Sequence, residues 1–167
     1  DMLGSGKGAE IPTALNRGAS GIDGLISSAC GYSSGLKRPV SLLIGDLSAM
    51  HDLNSFKLLA ESPEPVFVVL LNNHGGGIFS FLPVAKQTDI FETFFGTPHS
   101  NDFLSVAEMF GLNYFRPDSI SAFVKDYRQA VRENKSAVIE IFTERDKNPQ
   151  QLEALAQKLM KCAFESS

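Results

Sequence analysis

Two apolar runs in this sequence end in polar residues that could bind a metal ion. The run VSLLI is followed by Gly45 and Asp46, and the run VFVVLL is followed by an Asn pair that ends at Asn73. Apolar runs without alternation are typical of parallel strands that are buried on both faces. A carboxylate and an amide oxygen are ligands that Mg²⁺ accepts, with phosphate oxygens completing its coordination. The pattern therefore indicates a site for a divalent cation and a phosphate group.

A glycine-rich segment could supply the phosphate contacts. Residues 17–24 read RGASGIDG and lead into a predicted helix, so backbone N–H groups at the helix start could face an anion. Each signal has a simpler explanation when it is taken alone. Asp46 could cap a turn or a helix, and an Asn pair before three glycines is a common turn. Their joint occurrence at the ends of two candidate strands favours the binding site.

The elements that would position these residues alternate between strand and helix. We predict strands at residues 12–16, 40–44, 66–71, 113–115 and 137–142, and helices at 22–34, 52–60, 101–110, 119–133 and 149–162. Residues 80–101 are rich in Phe and Pro, and we interpret them as a long functional or interface loop. The order predicts an α/β fold with a three-layer, doubly wound, mainly parallel sheet. Ligands of such sheets bind beyond the carboxyl ends of the strands, where Asp46 and Asn73 are expected.

Composition excludes several classes of protein. The 167 residues are 43% hydrophobic and 20% charged, which is typical of one globular domain. The net charge of −4 argues against a nucleic-acid binder, and the apolar runs are too short to span a membrane. We expect Cys30 and Cys162 to be free thiols. We predict a linker or frayed terminus at residues 1–12 and one domain at 13–167, and Asp1 suggests a piece of a longer enzyme.

The spacing of the polar pairs resembles a known cofactor motif. Asp46 and Asn73 are 27 positions apart, as in the motif of thiamine diphosphate-dependent enzymes, which opens with GD and closes with NN. The segments NRGASGIDG, GDLSAMHDLN and NNHGGGIFSFLP resemble one branch of these enzymes, the 2-succinyl-5-enolpyruvyl-6-hydroxy-3-cyclohexene-1-carboxylate (SEPHCHC) synthases of menaquinone and phylloquinone biosynthesis. The resemblance covers about residues 14–145. It implies that this chain is the C-terminal domain of such an enzyme, which binds the diphosphate of the cofactor.

The resemblance implies two cofactors, thiamine diphosphate and Mg²⁺ or Mn²⁺. It implies metal binding by the side chains of Asp46 and Asn73 and by the Gly75 carbonyl. The thiamine diphosphate-binding residues it implies are Ser20, Ile22, Gly45, Asp46, Leu47, Ser48, Asn73 and Gly75. The substrate-binding residues it implies are Arg17, Ile78, Phe79 and Leu82. Ile22 would lie beneath the bent cofactor, although it could instead be an ordinary core residue, and the last three could instead be buried loop anchors.

The implied reaction is the decarboxylation of 2-oxoglutarate and the addition of the resulting succinyl group to isochorismate. The glutamate that activates the cofactor is expected in a missing N-terminal, pyrimidine-binding domain of a partner subunit, so we expect no catalytic residue here and no turnover by this chain alone. We expect a homo-oligomer, with Phe91, Phe94 and Phe95 facing another domain or subunit. The location would be the cytoplasm of a bacterium or a plant chloroplast.

One position departs from the family pattern. His74 stands where many members have Asn or Asp, and we expect it at the surface or behind the metal ligands. We assign no role to His51 or His99 and expect no histidine to act as the catalytic acid or base. Two alternatives remain open. The chain could belong to another thiamine diphosphate-dependent decarboxylase or carboligase such as acetolactate synthase, or it could be a non-catalytic flavodoxin-like binding or scaffold domain.

Overall fold

The computed structural model describes residues 12–14 and 21–165, and it contains four strands and seven α-helices in that part of the chain. The strands are β1 (Val40–Gly45), β2 (Val66–Asn72), β3 (Asn113–Phe115) and β4 (Ala137–Phe142). The helices are α1 (Leu25–Leu36), α2 (Asp46–His51), α3 (Ser55–Glu61), α4 (Thr88–Phe91), α5 (Leu104–Met109), α6 (Ile120–Glu133) and α7 (Asn148–Glu165). Short 3₁₀ turns span Gly77–Phe81, Pro83–Lys86 and Arg145–Lys147, and a π turn spans Glu92–Gly96.

The four strands form one parallel sheet in the order β1-β2-β4-β3. Because all the strands run in the same direction, their carboxyl ends meet at one edge. The register places Gly45 beside Leu71, and Asn72 beside Phe142. The residues that follow β1 and β2 are thereby neighbours, as the sequence predicts.

Side chains from the two faces of the sheet enter separate apolar clusters. On one face, Ile26 of α1, Phe56 of α3 and Phe103 beside α5 pack against Val68 and other inward residues of the strands. On the other face, Phe67 of β2 belongs to the cluster that α6 covers. Helices therefore lie on both faces, which confirms the prediction of a three-layer, doubly wound sheet.

Several element boundaries differ from the prediction. Residues 12–14 form no strand, and residues 15 and 16 lie outside the described part. The first helix begins at Leu25 because Gly24 has a φ of 71° and ends the preceding bend. The helix predicted at 52–60 is α3, which begins later, at Ser55, and the helix before it, α2, was not predicted. Helix α6 begins where predicted, and the Ser119 Oγ accepts a hydrogen bond from the Ala122 N–H (3.2 Å).

The segment at 80–101 is more ordered than a loop, since it contains α4 and parts of the 3₁₀ and π turns. Aromatic side chains stabilise it: Phe95 contacts Phe91 at 6.3 Å and Phe79 at 5.7 Å between ring centroids. None of the described helices is long and apolar enough to cross a membrane.

Candidate cofactor and metal site

Asp46 is the centre of the candidate site. It begins α2 immediately after β1, and its exposed fraction is only 3%. Its Oδ1 accepts the Leu47 N–H (2.7 Å), while its Oδ2 lies within hydrogen-bond distance of the Asn73 N–H (3.2 Å), the Gly75 N–H (3.0 Å) and the His99 Nε2 (3.1 Å). Four contacts fix the orientation of a buried carboxylate, and three of them come from segments distant in sequence.

Asn73, whose backbone N–H contacts this carboxylate, carries an unused side-chain oxygen. Its Oδ1 is buried and has no hydrogen-bond partner in the described chain. An unpaired buried acceptor is unfavourable by roughly 1–3 kcal/mol, so a site that leaves one open fits an added ligand. The Gly75 carbonyl accepts the Gly77 N–H (3.0 Å) and has a second lone pair. Oxygen donors of this kind fit Mg²⁺ or Mn²⁺.

The described residues include no group of three or more His, Cys, Asp and Glu side chains placed to hold a metal ion. A cation at Asp46 would therefore have one carboxylate, with an amide and a carbonyl oxygen nearby, and would need further ligands from outside the protein. This donor set fits a cation that arrives with a diphosphate, as the sequence pattern indicates.

The glycines after Asn73 allow a close contact between two backbone segments. Gly75 has a φ of 149°, and a Cβ atom there would overlap the Gly96 carbonyl oxygen. Arg145 binds residues 92–96, because its Nη1 donates to the Gly96 carbonyl (3.0 Å) and its Nη2 donates to the Glu92 carboxylate (2.7 Å). The turn that contains the proposed ligands is thus held against residues 92–96.

A buried carboxylate on β4 stabilises the end of β2 next to the site. Glu140 is fully buried, and its two oxygens accept hydrogen bonds from the Asn72 Nδ2 (2.6 Å), the Phe103 N–H (3.0 Å) and the Tyr114 hydroxyl (2.6 Å). Burial first, and then the hydrogen bond and charge of Glu140, raise the pKa of the Tyr114 phenol. The Asn72 Nδ2 also donates to the Asn101 carbonyl (2.9 Å). The network connects β2, β3, β4 and the segment before α5.

Asp52 fixes the start of α1 near α2. Its carboxylate accepts the N–H groups of Ile26 (2.7 Å) and Ser27 (3.2 Å) and the hydroxyl of Ser55. Burial, and second the nearby Asp52 charge, raise the pKa of the Cys30 thiol. Cys30 is a free cysteine, as predicted, whereas the side chain of Cys162 lies outside the described residues.

Three of the other predicted cofactor residues lie at the same edge of the sheet. Gly45 ends β1, and Leu47 and Ser48 lie in the first turn of α2. Ile22 has an exposed fraction of 42%, so it is not the ordinary core residue that we considered as an alternative. Ser20 lies outside the described residues.

The predicted substrate residues are exposed rather than buried. Ile78 and Phe79 lie in the 3₁₀ turn that follows the glycines and are 73% and 37% exposed, while Leu82 follows the turn and is 50% exposed. These values contradict the alternative that all three are buried loop anchors. The fourth residue, Arg17, lies outside the described residues.

The aromatic residues predicted to face another domain behave differently from one another. Phe91 is only 7% exposed and stacks on Phe95, so the prediction is wrong for Phe91, which is buried within the chain itself. Phe94 is 71% exposed, and Phe95 is half-buried. Of the three, Phe94 is the residue that remains free to contact a partner.

Two histidines lie next to Asp46 and Asn73. His99 contacts Asp46 directly, a contact that the sequence analysis missed because no local pattern marks it. His74 is half-buried, and its ring centroid lies 5.7 Å from that of His99 and 5.3 Å from that of Phe142. Its Nδ1 is buried without a hydrogen-bond partner among the described residues. His74 is therefore partly buried, and a role behind the proposed ligands stays a prediction.

A separate cavity of about 620 Å³ lies at the carboxyl ends of β3 and β4. Arg116, Phe123 and Phe142 are among its lining residues, and the Arg116 guanidinium lies 4.1 Å from the centroid of the Phe142 ring. Its lining includes none of the predicted cofactor residues. The donor atoms around Asp46, and not the size of this cavity, identify the candidate site.

Comparison with known proteins identifies the family of this chain. Residues 10–141 match the family described as "Thiamine pyrophosphate enzyme, C-terminal TPP binding domain". The chain is 51% identical over 141 residues to a SEPHCHC synthase of Prosthecochloris aestuarii and 48% identical over 158 residues to that of Chlorobium chlorochromatii. These alignments cover 84% and 90% of this chain but 24% and 27% of the relatives. The chain thus spans about a quarter of the length of the curated relatives it matches.

Two solved structures are similar in fold. Benzoylformate decarboxylase from Polynucleobacter necessarius superimposes with a TM-score of 0.62 over 72% of this chain and 23% of that one, at 19% sequence identity. The thiamine diphosphate-dependent 4-hydroxybenzoylformate decarboxylase of Rhodococcus jostii RHA1 gives a TM-score of 0.55 over 65% of this chain and 20% of that one, at 26% identity.

Proposed function

Because the chain belongs to the family of C-terminal TPP-binding domains of thiamine pyrophosphate enzymes, we propose that it is the diphosphate- and metal-binding part of a SEPHCHC synthase. The relatives at about half identity carry that name, which favours this branch over an acetolactate synthase. Membership in a cofactor-binding enzyme family argues against the flavodoxin-like scaffold.

One observation carries the proposal: the unpaired, buried Oδ1 of Asn73, a residue whose backbone N–H contacts the fixed carboxylate of Asp46. These two side chains would hold Mg²⁺ or Mn²⁺ together with the Gly75 carbonyl. Ser48, in the first turn of α2, and the nearby backbone would bind the diphosphate.

In the whole enzyme, bound thiamine diphosphate supplies the electron sink for the decarboxylation of 2-oxoglutarate. The residues of this chain bind and orient. Asp46 would hold the cation that neutralises the diphosphate, and the exposed Ile78, Phe79 and Leu82 would provide apolar contacts on the substrate side. Ile22 would lie under the cofactor and Ser20 beside it.

Acceptance of isochorismate and activation of the cofactor need residues beyond the described part. Arg17 would pair with a carboxylate of an anionic substrate, since a guanidinium donates two parallel hydrogen bonds. The activating glutamate would come from the pyrimidine-binding domain of a partner subunit in a homo-oligomer. We therefore expect no turnover from these 167 residues alone. The cytoplasmic or chloroplast location stays a prediction.

The test is Mg²⁺-dependent binding of thiamine diphosphate by calorimetry, with the chain joined to the pyrimidine-binding and central domains. We expect Asp46→Asn to abolish the heat of binding, because the variant loses the anionic ligand. Asp89→Asn is the matched control, since Asp89 is an exposed residue in the first turn of α4, and it should bind normally. Equal binding by Asp46→Asn would contradict the assignment of the metal site.

A second assay tests the reaction itself. The same protein should convert 2-oxoglutarate and isochorismate into the succinyl adduct, while the 167-residue chain alone should not. Formation of acetolactate from pyruvate, with no succinyl adduct, would instead support the alternative branch.

A further inference from the structure

His99 makes the side-chain contact to the Asp46 carboxylate. Its Nε2 lies 3.1 Å from the Asp46 Oδ2, and the two side chains are 9% and 4% exposed. The other contacts to this oxygen come from the backbone N–H groups of Asn73 and Gly75. His99 is 53 residues from Asp46 in the sequence, so the contact joins separate parts of the chain.

The hydrogen bonds of the ring identify its tautomer. The His99 Nδ1 accepts the Asn101 N–H at 3.2 Å, and a ring nitrogen that accepts a hydrogen bond carries no proton. The proton of the neutral ring is therefore on Nε2, which donates to the Asp46 Oδ2. In proteins that bind metals, a partner behind the ligand fixes its orientation in the same way.

Asn101 is itself held by the buried network. Its carbonyl accepts the Asn72 Nδ2 at 2.9 Å, and the same Nδ2 donates to the Glu140 carboxylate at 2.6 Å. A continuous series of hydrogen bonds therefore runs from Glu140 through Asn72, Asn101 and His99 to Asp46. This series determines where the Nε2 proton of His99 points.

The two oxygens of Asp46 are used unequally. Oδ2 accepts three hydrogen bonds, whereas Oδ1 accepts one, from the Leu47 N–H. A carboxylate oxygen has about two lone-pair sites, so Oδ2 is saturated and Oδ1 retains capacity. We propose that His99 is a positioning residue that holds Oδ2 of Asp46 and so leaves Oδ1 as the oxygen that binds the divalent cation.

This inference rests on the proposed function, and rescue by a conservative variant tests it. The experiment measures Mn²⁺ binding by electron paramagnetic resonance and Mg²⁺–thiamine diphosphate binding by calorimetry, in the protein with all its domains. The variants are His99→Leu, which removes the donor, and His99→Gln, whose side-chain N–H₂ can still donate to Oδ2. His51→Leu is the matched control, because His51 is an exposed histidine at the end of α2.

We expect His99→Leu to weaken cation binding by about 10- to 100-fold, and His99→Gln to restore it to within about 3-fold of the parent protein. If His99→Leu fails to fold, His99→Asn replaces it, since its shorter amide cannot reach Oδ2, and the same loss is expected. Parent-like binding by His99→Leu or His99→Asn would overturn the proposal, as would a His99→Gln variant that binds no better than His99→Leu.

The Asp46→Asn variant separates this proposal from the proposed function. If the parent protein binds the cation and Asp46→Asn does not, the metal site stands and the His99 variants decide the positioning role. If the parent protein binds neither Mn²⁺ nor thiamine diphosphate with Mg²⁺, the proposed function fails and the role of His99 fails with it.

Discussion

Replacement of Glu140 by Gln is the sharpest test of the network beneath the site. Both side chains have nearly the same shape, so the change exchanges one acceptor oxygen for an N–H₂ donor. If the N–H₂ group takes the Oε1 position, it meets the Asn72 Nδ2, and if it takes the Oε2 position, it meets the Phe103 N–H. The Tyr114 hydroxyl can rotate to accept, but the Phe103 N–H cannot.

Either orientation therefore leaves one buried donor facing another. An unpaired buried donor costs roughly 1–3 kcal/mol. The remaining hydrogen bonds also weaken, because bonds to a charged acceptor are about twice as strong as neutral ones. We expect Glu140→Gln to lower the free energy of unfolding by about 2–4 kcal/mol. A loss of about 3 kcal/mol corresponds to a decrease of about 6–12 °C in Tm.

Urea unfolding followed by circular dichroism measures this difference. Glu61→Gln is the matched control, since Glu61 is an exposed partner of Lys57 on α3, and we expect a change within about 0.5 kcal/mol. The reasoning is refuted if Glu140→Gln unfolds within about 0.5 kcal/mol of the parent protein, because one donor would then have found an acceptor that the structure does not contain.

Two further variants probe the glycine turn and Tyr114. Gly75→Ala should lower the free energy of unfolding by about 2–4 kcal/mol, because Gly75 has a φ of 149° and the added Cβ would overlap a backbone carbonyl. Gly31→Ala is the control for the same urea assay. An added Cβ has open space there, so the variant should be as stable as the parent protein or more stable. Since the pKa of Tyr114 is raised in the folded state, its stabilising contribution is complete below the unfolded pKa of about 10 and is lost as the pH rises above it. Between pH of about 9 and about 11, Tyr114→Phe should therefore lose less stability than the parent protein, and parallel losses would contradict the shift.

The sequence predicted well the elements that are short, β-branched apolar runs. Four of the six side chains of VFVVLL are buried, and the predicted strand 66–71 differs from β2 by one residue. Ser119 is a cap that can be recognised from its residue type alone. Helix α2 was missed because Asp46 both follows the strand and begins the helix, which leaves no turn residues to mark the boundary.

The final helix shows the opposite case. The helix predicted at 149–162 has apolar residues at helical spacing, a pattern typical of a helix packed on a core, yet Leu152 is 43% and Leu159 is 58% exposed. Helix α7 contacts mainly the turns Gly77–Phe81 and Arg145–Lys147, so much of its apolar face lies beyond the sheet. A periodic pattern identifies the helix but not the surface that covers it.

The proximity of Asp46 and Asn73 was predictable from residue type and spacing, and their role as ligands stays a prediction. Glu140 had a signal that the analysis did not use: a single charged residue within the apolar strand AVIEIF, which burial would require to be hydrogen-bonded. His99 had no such signal, because its role depends on a fold that brings it to Asp46 from 53 residues away.

The sequence separations of these contacts determine when the site can form during folding. The hydrogen bonds that orient Asp46 and Asn72 close segments of 27, 53 and 68 residues. Closing such long segments is entropically unfavourable until the intervening structure has formed, so contacts of this kind appear late. A chain in which β4 has not yet joined β2 lacks Glu140 beneath Asn72, and its Asn101 and His99 are not held in place. We therefore expect the proposed cation to bind tightly at Asp46 only after β4 has joined β2, and not to act as the nucleus around which the domain folds.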